Sequence, residues 1–441
     1  MRPTKESPIS QIDLFRNQLD NIICLRHELV VLAGKIDWAR LDEEFGQYYA
    51  EIGRPGIKIR LMVGLHLLKY MYALSDEEVC ARWRENPYYQ YFCGEKYFQH
   101  DLPIERSSMT HFRKRVGDKS LELILQESLR IAHESGALKL SDTAKVAVDT
   151  TVQSKAISFP TDAKLRYKAL KRLGELVKEH DIALRQSYVR VGKTALIMSG
   201  RYRHAKQMKR AKKMEKRLKT WLGRVIRDIR RKIDGNEQLE QVFAEPLSKA
   251  TTIWHQQRHD KNKLLSWHAP EVECIGKGKS HKPYEFGCKV SIATNVNKAA
   301  GGHFVLHVNA VHGNPFDGHT LQQAVDNIAD IVGRAPKRIY VDRGYQGHNY
   351  EDKAMVFKSG QKRGVHGAIR KELRRRTVIE PVIGHLKADC LMGRNHLRGV
   401  TGDRVNALFA GIGYNLRRLL AWFRKLFYTF CYLWSLYTLT A

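Results

Sequence analysis

Four short β-branched runs constrain the fold of this chain more than any other feature. They are AKVAVDTTVQ (144–153), GCKVSIATNV (287–296), HFVLHVNAV (303–311) and KRIYVDRGY (337–345). The segment NPFDGHTLQQAVDNIADIVGR between the last two has helical spacing, and Asp317 is expected to cap that helix. The order strand, strand, helix, strand predicts a mixed α/β sheet.

Two of these runs end at an aspartate, Asp149 after VAV and Asp342 after IYV. Ligand-binding groups in open α/β sheets collect beyond the carboxyl ends of strands, so the two carboxylates lie side by side if these strands are parallel neighbours. Close carboxylates repel unless a cation lies between them, and Mg²⁺ prefers such oxygen ligands. Gly344 would let the backbone turn sharply beside the ion. Each aspartate alone is more often a strand-end cap.

A third carboxylate, Glu380, follows a short predicted strand, AMVFKSG, and lies in the stretch RRRTVIEPVIGHLKADC. Arg376, Glu380 and Lys387 would share one face of a helix, because steps of four and seven residues return close to the same direction. An ordinary i,i+4 Arg–Glu pair would explain Glu380 without any catalytic role. Pro381 would bend such a helix unless the helix begins there. Three carboxylates together in a cationic protein are a more specific signal than any one of them.

Positive charge is concentrated in one segment of the chain. The whole sequence has 76 Lys plus Arg against 46 Asp plus Glu, and Lys164–Lys232 alone has 24 against five. This segment predicts long basic helices, with an antiparallel pair as one arrangement, inserted into the sheet domain. A solvated charged face is the alternative, but the lack of acidic compensation favours phosphate binding. The candidate contacts are Lys209, Arg210, Lys212 and Lys213.

The N-terminal region is predicted to form several short helices. IKIRLMVGLHLLKYMYA (57–73) has helical spacing, and Ser75 with Glu78 forms a capping box for the next helix. SSMTHFRKRVG predicts a further short helix with Ser107 or Ser108 as its N-cap. The pattern suits a helix-turn-helix module, and an ordinary helical bundle is the alternative.

The basic helix of this module supplies candidate DNA contacts. Ser108 and His111 lie towards its N-terminus, where free backbone N–H groups suit a phosphate and helix-turn-helix proteins contact base edges. Arg113 could pair bidentately with guanine, whereas Lys114 is expected to hold a phosphate.

The cysteines and the two terminal segments are informative about the cellular location of the protein. Seven cysteines form no CxxC pair and no zinc spacing, which suits reduced thiols in a cytoplasmic protein. No signal peptide is visible at the N-terminus. The last sixteen residues, LFYTFCYLWSLYTLTA, fall short of the ~20 residues that span a bilayer. We interpret them as a packing or self-association tail, with surface membrane contact as the lesser alternative, and expect no membrane partner.

Several motifs resemble one protein family. VAVDTT, NPFDGHTL, YVDRGYQG, GQKRG and Arg376-x3-Glu380-x6-Lys387 resemble the DDE transposases of bacterial insertion sequences, in particular insertion-sequence family five within the wider family-four/family-five superfamily. The N-terminal RPGIKIRLMVGLHLLKYMYALSDEEV and NPYYQYFCG resemble the same family. The resemblance covers roughly residues 50–155 and 265–420. Leu373 stands where the family pattern has a tyrosine.

This resemblance implies a ribonuclease-H-like catalytic domain whose metal-binding triad is Asp149, Asp342 and Glu380. Arg376 and Lys387 would hold DNA phosphates beside it. Two Mg²⁺ ions, with Mn²⁺ as a substitute, would support cleavage at terminal inverted repeats and joining of the 3′-OH to target DNA. The implied partners are double-stranded DNA and a second copy of the chain. The alternatives are a metal-dependent nuclease of the same fold without strand transfer and a non-catalytic DNA-binding protein.

The predicted organisation has three parts. Residues 1–140 form a helical, helix-turn-helix-like domain, and residues 401–441 form a C-terminal helix with an apolar aromatic tail. Between them, residues 141–400 form the catalytic domain, interrupted by the basic helical insertion at about 160–265.

Overall fold

The computed structural model describes residues 17–49, 56–257, 259–278, 280, 282–348, 350–351 and 354–440. The chain divides into two compact units. The core unit comprises residues 1–155 and 287–441, and the insertion unit comprises residues 156–286. The N-terminal helices, expected to form a domain of their own, share one hydrophobic core with the sheet.

Eight helices of the core unit precede the sheet within the described residues. They are α1 (Leu19–Ile22), α2 (Glu28–Lys35), α3 (Trp38–Gly46), α4 (Ile59–Met71), α5 (Asp76–Glu85), α6 (Pro87–Phe92), α7 (Arg106–Arg115) and α8 (Asp118–Glu134). The capping box before α5 is confirmed, because the Ser75 hydroxyl accepts from the Glu78 N–H while the Glu78 carboxylate accepts from the Ser75 N–H. Helix α7 begins at Arg106 after Glu105, so the prediction of Ser107 or Ser108 as its N-cap is wrong.

The insertion unit is helical and has its own core. It contains α9 (Asp162–Glu179), α10 (Val189–His204), α11 (Met208–Ile233) and α12 (Glu237–His255), followed by strand β2 (Glu273–Gly276). Leu173, Leu222, Ile226 and Phe243 lie buried where these helices meet. The apolar residues of α11 recur at helical spacing, so one stripe is buried while its lysines and arginines remain outside. Four long helices therefore replace the antiparallel pair considered from the sequence.

The sheet is mixed, as the sequence predicts. Its strands in the core unit are β1 (Lys145–Ser154), β3 (Tyr284–Asn295, which begins in the insertion unit), β4 (Val305–Val311), β5 (Arg338–Val341) and β6 (Met355–Lys358). Their spatial order is β4-β3-β1-β5-β6. β3 is antiparallel to both β1 and β4, whereas β5 is parallel to β1 and to β6. The strands themselves and the parallel pairing that the carboxylate argument requires are confirmed.

The remaining helices complete the core unit. They are α13 (Leu321–Val332), α14 (Gly367–Arg375), α15 (Ile379–Asp389) and α16 (Gly399–Thr440). Helix α16 packs against α4, α8 and β4. The Asn415 amide donates to the Val305 carbonyl at 2.9 Å and accepts from the Val305 N–H at 2.8 Å. These bonds satisfy backbone groups of β4 and bind α16 to the sheet.

The last part of α16 differs from the rest of that helix. Phe423 is buried, whereas Phe427, Tyr428, Phe430 and Trp434 are exposed, Trp434 to 61%. Within the described residues, no helix combines the length and the hydropathy needed to cross a membrane. The aromatic tail predicted from the sequence is therefore an exposed helical extension here.

Candidate active site

The pairing of β1 with β5 places Asp149 and Asp342 at the same level of the sheet. Val146 lies opposite Ile339 and Ala147 opposite Tyr340, so each aspartate follows its last paired residue by two positions. Asp342 directly follows β5, as predicted. Asp149 does not end its strand, because β1 continues to Ser154 along β3. The prediction of two strand-end aspartates is thus wrong for Asp149, but the two residues are neighbours.

A tight turn holds the Asp342 side chain. Its Oδ1 accepts a hydrogen bond of 2.8 Å from the Gly344 N–H, and it thereby caps a single 3₁₀ turn. A methyl group on Gly344 would lie 2.9 Å from Asp342 Oδ1 and 3.2 Å from Asp317 Oδ2. Both contacts are closer than a carbon and an oxygen normally approach. Gly344 therefore leaves open a space that carboxylate oxygens line, which is a different role from the sharp backbone turn expected from the sequence.

Burial and like charge act together on Asp149. Its pKa is raised from 3.8 to about 6, first by burial and then by the negative charge of Asp342, with a smaller contribution from Asp317. The Thr150 N–H, which donates to Asp149 Oδ1 at 2.8 Å, and the Arg376 guanidinium oppose this increase. Asp149 is thus a carboxyl group whose negative charge is only partly compensated by the protein.

Arg376 connects the sheet carboxylates to Glu380. Its Nη1 lies 3.8 Å from Asp149 Oδ2, and its Nη2 lies 3.8 Å from Glu380 Oε1. Arg376 begins a 3₁₀ turn that leads into α15, so Pro381 falls in the first turn of α15, where a missing N–H breaks no helical bond. The predicted i,i+4 pair is present, and its guanidinium also reaches Asp149.

These groups have the chemistry of a divalent-metal site. Asp149, Asp342 and Glu380 offer only oxygen donors, and Glu380 is 63% exposed, so an ion could reach it from solvent. Their oxygens do not all approach within 4.8 Å of one another in the described part of the chain. The Arg376 guanidinium lies between Asp149 and Glu380, and a hard cation would take its place as their counter-charge. The residues fit Mg²⁺ by donor type and by charge.

The remaining residues predicted to lie near this site have different surroundings. Lys387 is half-buried on α15, two turns after Glu380. Leu373 packs against the hydrophobic core, so it contributes no polar group where the family pattern has a tyrosine.

The adjacent Glu372 is buried and accepts from Lys145 at 2.6 Å, from Arg338 at 3.0 Å and from the Tyr340 hydroxyl. Sequence reasoning missed Glu372, because its partners lie on distant strands.

Asp317 also lies at this site and not where the sequence placed it. It was expected to cap the helix that follows, but α13 begins four residues later and its N-cap is Thr320. The Asp317 side chain instead bonds to Thr150 and Lys289. Its only signal in the sequence was the motif NPFDGHTL.

A second polar group lies elsewhere in the core unit. Ligand atoms of Cys288, His312 and Asp403 lie within 4.8 Å of one another in the described residues, a group that the cysteine spacing did not reveal. The Asp403 carboxylate accepts from the Lys155 ammonium at 2.8 Å and from the Asn395 amide at 2.6 Å. A metal ion there would be repelled by Lys155, so we interpret this group as a compensated structural network.

The N-terminal candidates for DNA contact separate into two kinds. Ser108 and His111 line an open cleft of about 910 Å³, and Lys114 is exposed. Arg113 is only 7% exposed. Its guanidinium makes two hydrogen bonds to Asp76, of 3.0 and 2.6 Å, and a third contact of 3.2 Å with His66. Arg113 therefore compensates a half-buried carboxylate, and these contacts occupy the guanidinium that was predicted to pair with guanine.

The candidate contacts of the insertion unit are accessible. Lys209, Arg210, Lys212 and Lys213 are all exposed on α11. The Arg210 guanidinium lies 5.8 Å from the centre of the Tyr202 ring, and it donates to Gln207 at 3.1 Å. Such contacts leave the positive charge uncompensated. The predicted basic surface is thus present, while its binding to phosphate stays a prediction.

Known proteins resemble two parts of this chain. Residues 17–115 match the family described as "Transposase domain (DUF772)", and residues 252–416 match the "Transposase DDE domain". The chain is also similar to "Uncharacterized protein ORF8 in nfe locus" of Rhizobium meliloti, with 52% identity over 207 residues. Those residues make up 47% of this chain and 100% of that protein. No solved structure matches the chain.

Proposed function

The chain belongs to the DDE transposases, and we propose that it moves an insertion sequence by cleaving DNA at the element's terminal inverted repeats and joining the freed 3′-OH to target DNA. Insertion-sequence family five is the proposed family. The observation that best supports this proposal is the parallel register of β1 and β5, which brings Asp149 beside Asp342. Glu380 is linked to Asp149 through Arg376.

The strand order supports a ribonuclease-H-like catalytic core. β1 lies at the centre, β3 and β4 form an antiparallel pair on one side, and β5 and β6 run parallel to β1 on the other. The first acidic residue lies on the central strand and the second directly after its parallel neighbour. Helix α15 packs against β1 and brings the third.

The proposed cofactor is a pair of Mg²⁺ ions held by Asp149, Asp342 and Glu380, with Mn²⁺ as a substitute. When bound, such ions activate the attacking water or 3′-OH and stabilise the leaving oxygen. The protein's part is to hold uncompensated carboxylates at fixed positions on two paired strands. Because the pKa of Asp149 is raised to about 6, this carboxyl group is mostly ionised at pH 7 and available as a ligand.

DNA recognition is proposed to use two surfaces. The cleft lined by Ser108 and His111 would contact the terminal repeat, together with the exposed Lys114 of the same helix. The exposed basic face of α11 would bind phosphates of any sequence. Lys387 would hold a phosphate near the carboxylates, and so would Arg376 once a metal ion replaces it as their counter-charge. Two copies would pair the two ends of the element in the bacterial cytoplasm.

The test uses purified protein and linear DNA that carries the sequences flanking its own gene. With Mg²⁺, we expect cleavage at the repeat ends and covalent joining of those ends to a supercoiled target plasmid, and with EDTA we expect neither. Matched DNA with scrambled ends is the control.

The outcomes separate the alternatives. Cleavage without joined products would favour a metal-dependent nuclease. Specific binding without Mg²⁺-dependent cleavage would favour a DNA-binding protein and overturn the proposed function.

A further inference from the structure

Asp317 is held at the candidate active site through one of its two carboxylate oxygens. Oδ1 accepts a hydrogen bond of 2.8 Å from the Thr150 hydroxyl and one of 2.9 Å from the Lys289 ammonium. Thr150 directly follows Asp149 on β1, and Lys289 lies opposite Val152 on β3. The ammonium is fixed in turn, because it also donates to the Pro315 carbonyl at 2.6 Å. Two strands of the sheet thus orient this side chain.

The second oxygen of Asp317 lies near Asp342. Oδ2 and Asp342 Oδ1 lie within 3.2 Å and 2.9 Å of the single point where a Gly344 side chain would begin. Glycine keeps that point free of protein atoms. The Asp317 side chain is 29% exposed, so the space is open to solvent ions. One oxygen is therefore anchored, while the other borders the same opening as Asp342.

Tyr345 provides an independent indication that this opening takes a ligand. Its side chain is fully buried, and its hydroxyl has no well-formed hydrogen bond among the described residues. The Thr320 hydroxyl, which donates to the Asp317 carbonyl at 2.7 Å, gives the Tyr345 hydroxyl only a weak contact that opposes the rise of its pKa. The pKa of Tyr345 is raised well above the ordinary value, first by burial and then by the charges of Asp149 and Asp317. A buried hydroxyl without a well-formed hydrogen bond is costly, and a bound ion with its water molecules would supply one.

We infer that Asp317 is a fourth carboxylate ligand of the divalent-metal site, supplying Oδ2 while Lys289 and Thr150 hold Oδ1. This inference deepens the proposed function and depends on it for the other three ligands. Lys289 balances one negative charge, so adding Asp317 does not add a full uncompensated charge to the site. The same arrangement would be a plain structural salt bridge if Oδ2 had no ligand.

Asp317→Asn distinguishes these two roles. The amide oxygen can still accept from Thr150 and Lys289, so the anchor is retained, while the second oxygen is replaced by an NH₂ group that cannot bind a cation. Asp330→Asn is the matched control, because Asp330 is exposed on α13 and away from the site. The probe is Mn²⁺, titrated by calorimetry into each full-length protein without DNA.

The expected result is that Asp317→Asn raises the Mn²⁺ dissociation constant at least about tenfold, whereas Asp330→Asn leaves it unchanged. The metal-free melting temperature of Asp317→Asn should stay near that of the wild type, and its rise on adding Mn²⁺ should be smaller. An Mn²⁺ dissociation constant within twofold of the wild type would overturn the inference and leave the triad in place. A wild-type protein that binds no Mn²⁺ would instead overturn the proposed metal site itself.

Discussion

Two carboxylates at opposite ends of the β1–β5 pair have opposite electrostatic surroundings. At one end, Lys145 and Arg338 face each other in register and both bind the buried Glu372. Burial alone would raise the pKa of Glu372, but hydrogen bonds from these cations and from Tyr340 lower it. Four residues further along β1, burial and Asp342 raise the pKa of Asp149 to about 6.

The difference distinguishes a carboxylate that stabilises the fold from one that is a candidate for function on the same two strands. A carboxylate that only stabilises the fold is surrounded by cations and hydroxyl groups of the protein, as Glu372 is. Asp149 has one guanidinium at 3.8 Å and two other carboxylates nearby. Such undercompensation costs folding free energy, and a cation from solution would recover it. Perturbed carboxylates of this kind are candidates for chemistry.

The largest expected effect concerns the carboxylates of the candidate active site, whose negative charge the protein compensates only in part. Asp149→Asn, Asp342→Asn and Glu380→Gln should each lower Mg²⁺-dependent cleavage at least about a thousandfold, the equivalent of roughly 4 kcal/mol in the barrier. DNA binding should be unchanged or tighter, because each substitution removes repulsion towards phosphate. Cleavage of end-labelled DNA and gel-shift titration measure the two effects. A variant that cleaves at a near wild-type rate would remove that residue from the site.

Asp76, in the N-terminal helices, is a further carboxylate whose negative charge the protein compensates. Although burial would raise its pKa, hydrogen bonds and charge from Arg113 and Lys69 lower it. Arg113→Ala would leave that carboxylate partly buried beside Lys69 alone, and we expect it to lower the free energy of unfolding by about 3 kcal/mol. Lys114→Gln on the same helix is the control and should change it by less than about 0.5 kcal/mol. Urea unfolding gives both values.

An Arg113→Ala protein of wild-type stability would contradict the compensating role. Loss of preference at one base pair without loss of stability would restore the hypothesis of guanine contact.

Substitutions at the two ends of β1–β5 should have effects of opposite sign on stability. In the folded protein the pKa of Asp149 lies near 6 and above its ordinary 3.8, so the native state binds the proton more tightly. Stability therefore falls as pH rises between these values, and the cost is complete above about pH 6. Metal-free Asp149→Asn should be more stable than the wild type at pH 7 by about 2 kcal/mol and similar to it near pH 3.5.

Glu372→Gln should behave in the opposite way. The folded-state pKa of Glu372 is lowered from 4.5, so its stabilisation is present above that value and is lost as pH falls through the folded-state pKa. We expect a loss of about 2 kcal/mol at pH 7 that shrinks in acid. Thermal melts of both variants from pH 3 to pH 8 without metal test the pair. Effects of the same sign at pH 7 would contradict opposite electrostatic roles for Asp149 and Glu372.

The smallest expected effect concerns the exposed positive charges of the insertion unit. Replacing Lys209, Arg210, Lys212 and Lys213 with glutamine should make log K for random duplex DNA less steep against log salt, by about 0.9 for each DNA phosphate that the variant no longer neutralises. Replacing Lys249, which already pairs with the exposed Glu245 on α12, should leave the slope unchanged. An unchanged slope in the first variant would show that these charges only face solvent.

Much of the fold follows from local patterns, because alternating β-branched runs and helix caps act over a few residues. The five strands of the core unit and the capping box at Ser75 were predictable on this basis. The end of β1 was not, because Thr150 to Ser154 extend along β3, a strand distant in sequence. A turn residue and a strand residue look alike until their partner is known.

The site was predictable where motif and spacing sufficed, at Asp149, Asp342 and Glu380. The surroundings of Arg113 and Asp317 were not predictable, because burial and ion-pair partners decide their roles. Asp76 lies 37 residues from Arg113, and Thr150 lies 167 residues from Asp317. A sequence shows that a charged residue is present, but not which opposite charge will face it in the fold.

The central claim is that Asp149 is a direct metal ligand in DNA cleavage, and a change of metal preference tests it most directly. Asp149→Cys replaces an oxygen donor with a thiolate, which binds Mn²⁺ better than Mg²⁺. We predict that the variant is inactive in cleaving repeat-end DNA with Mg²⁺ and regains activity with Mn²⁺, while Asp149→Ala stays inactive with both. Equal activity of Asp149→Cys and the wild type in Mg²⁺ would show that Asp149 is not a direct metal ligand.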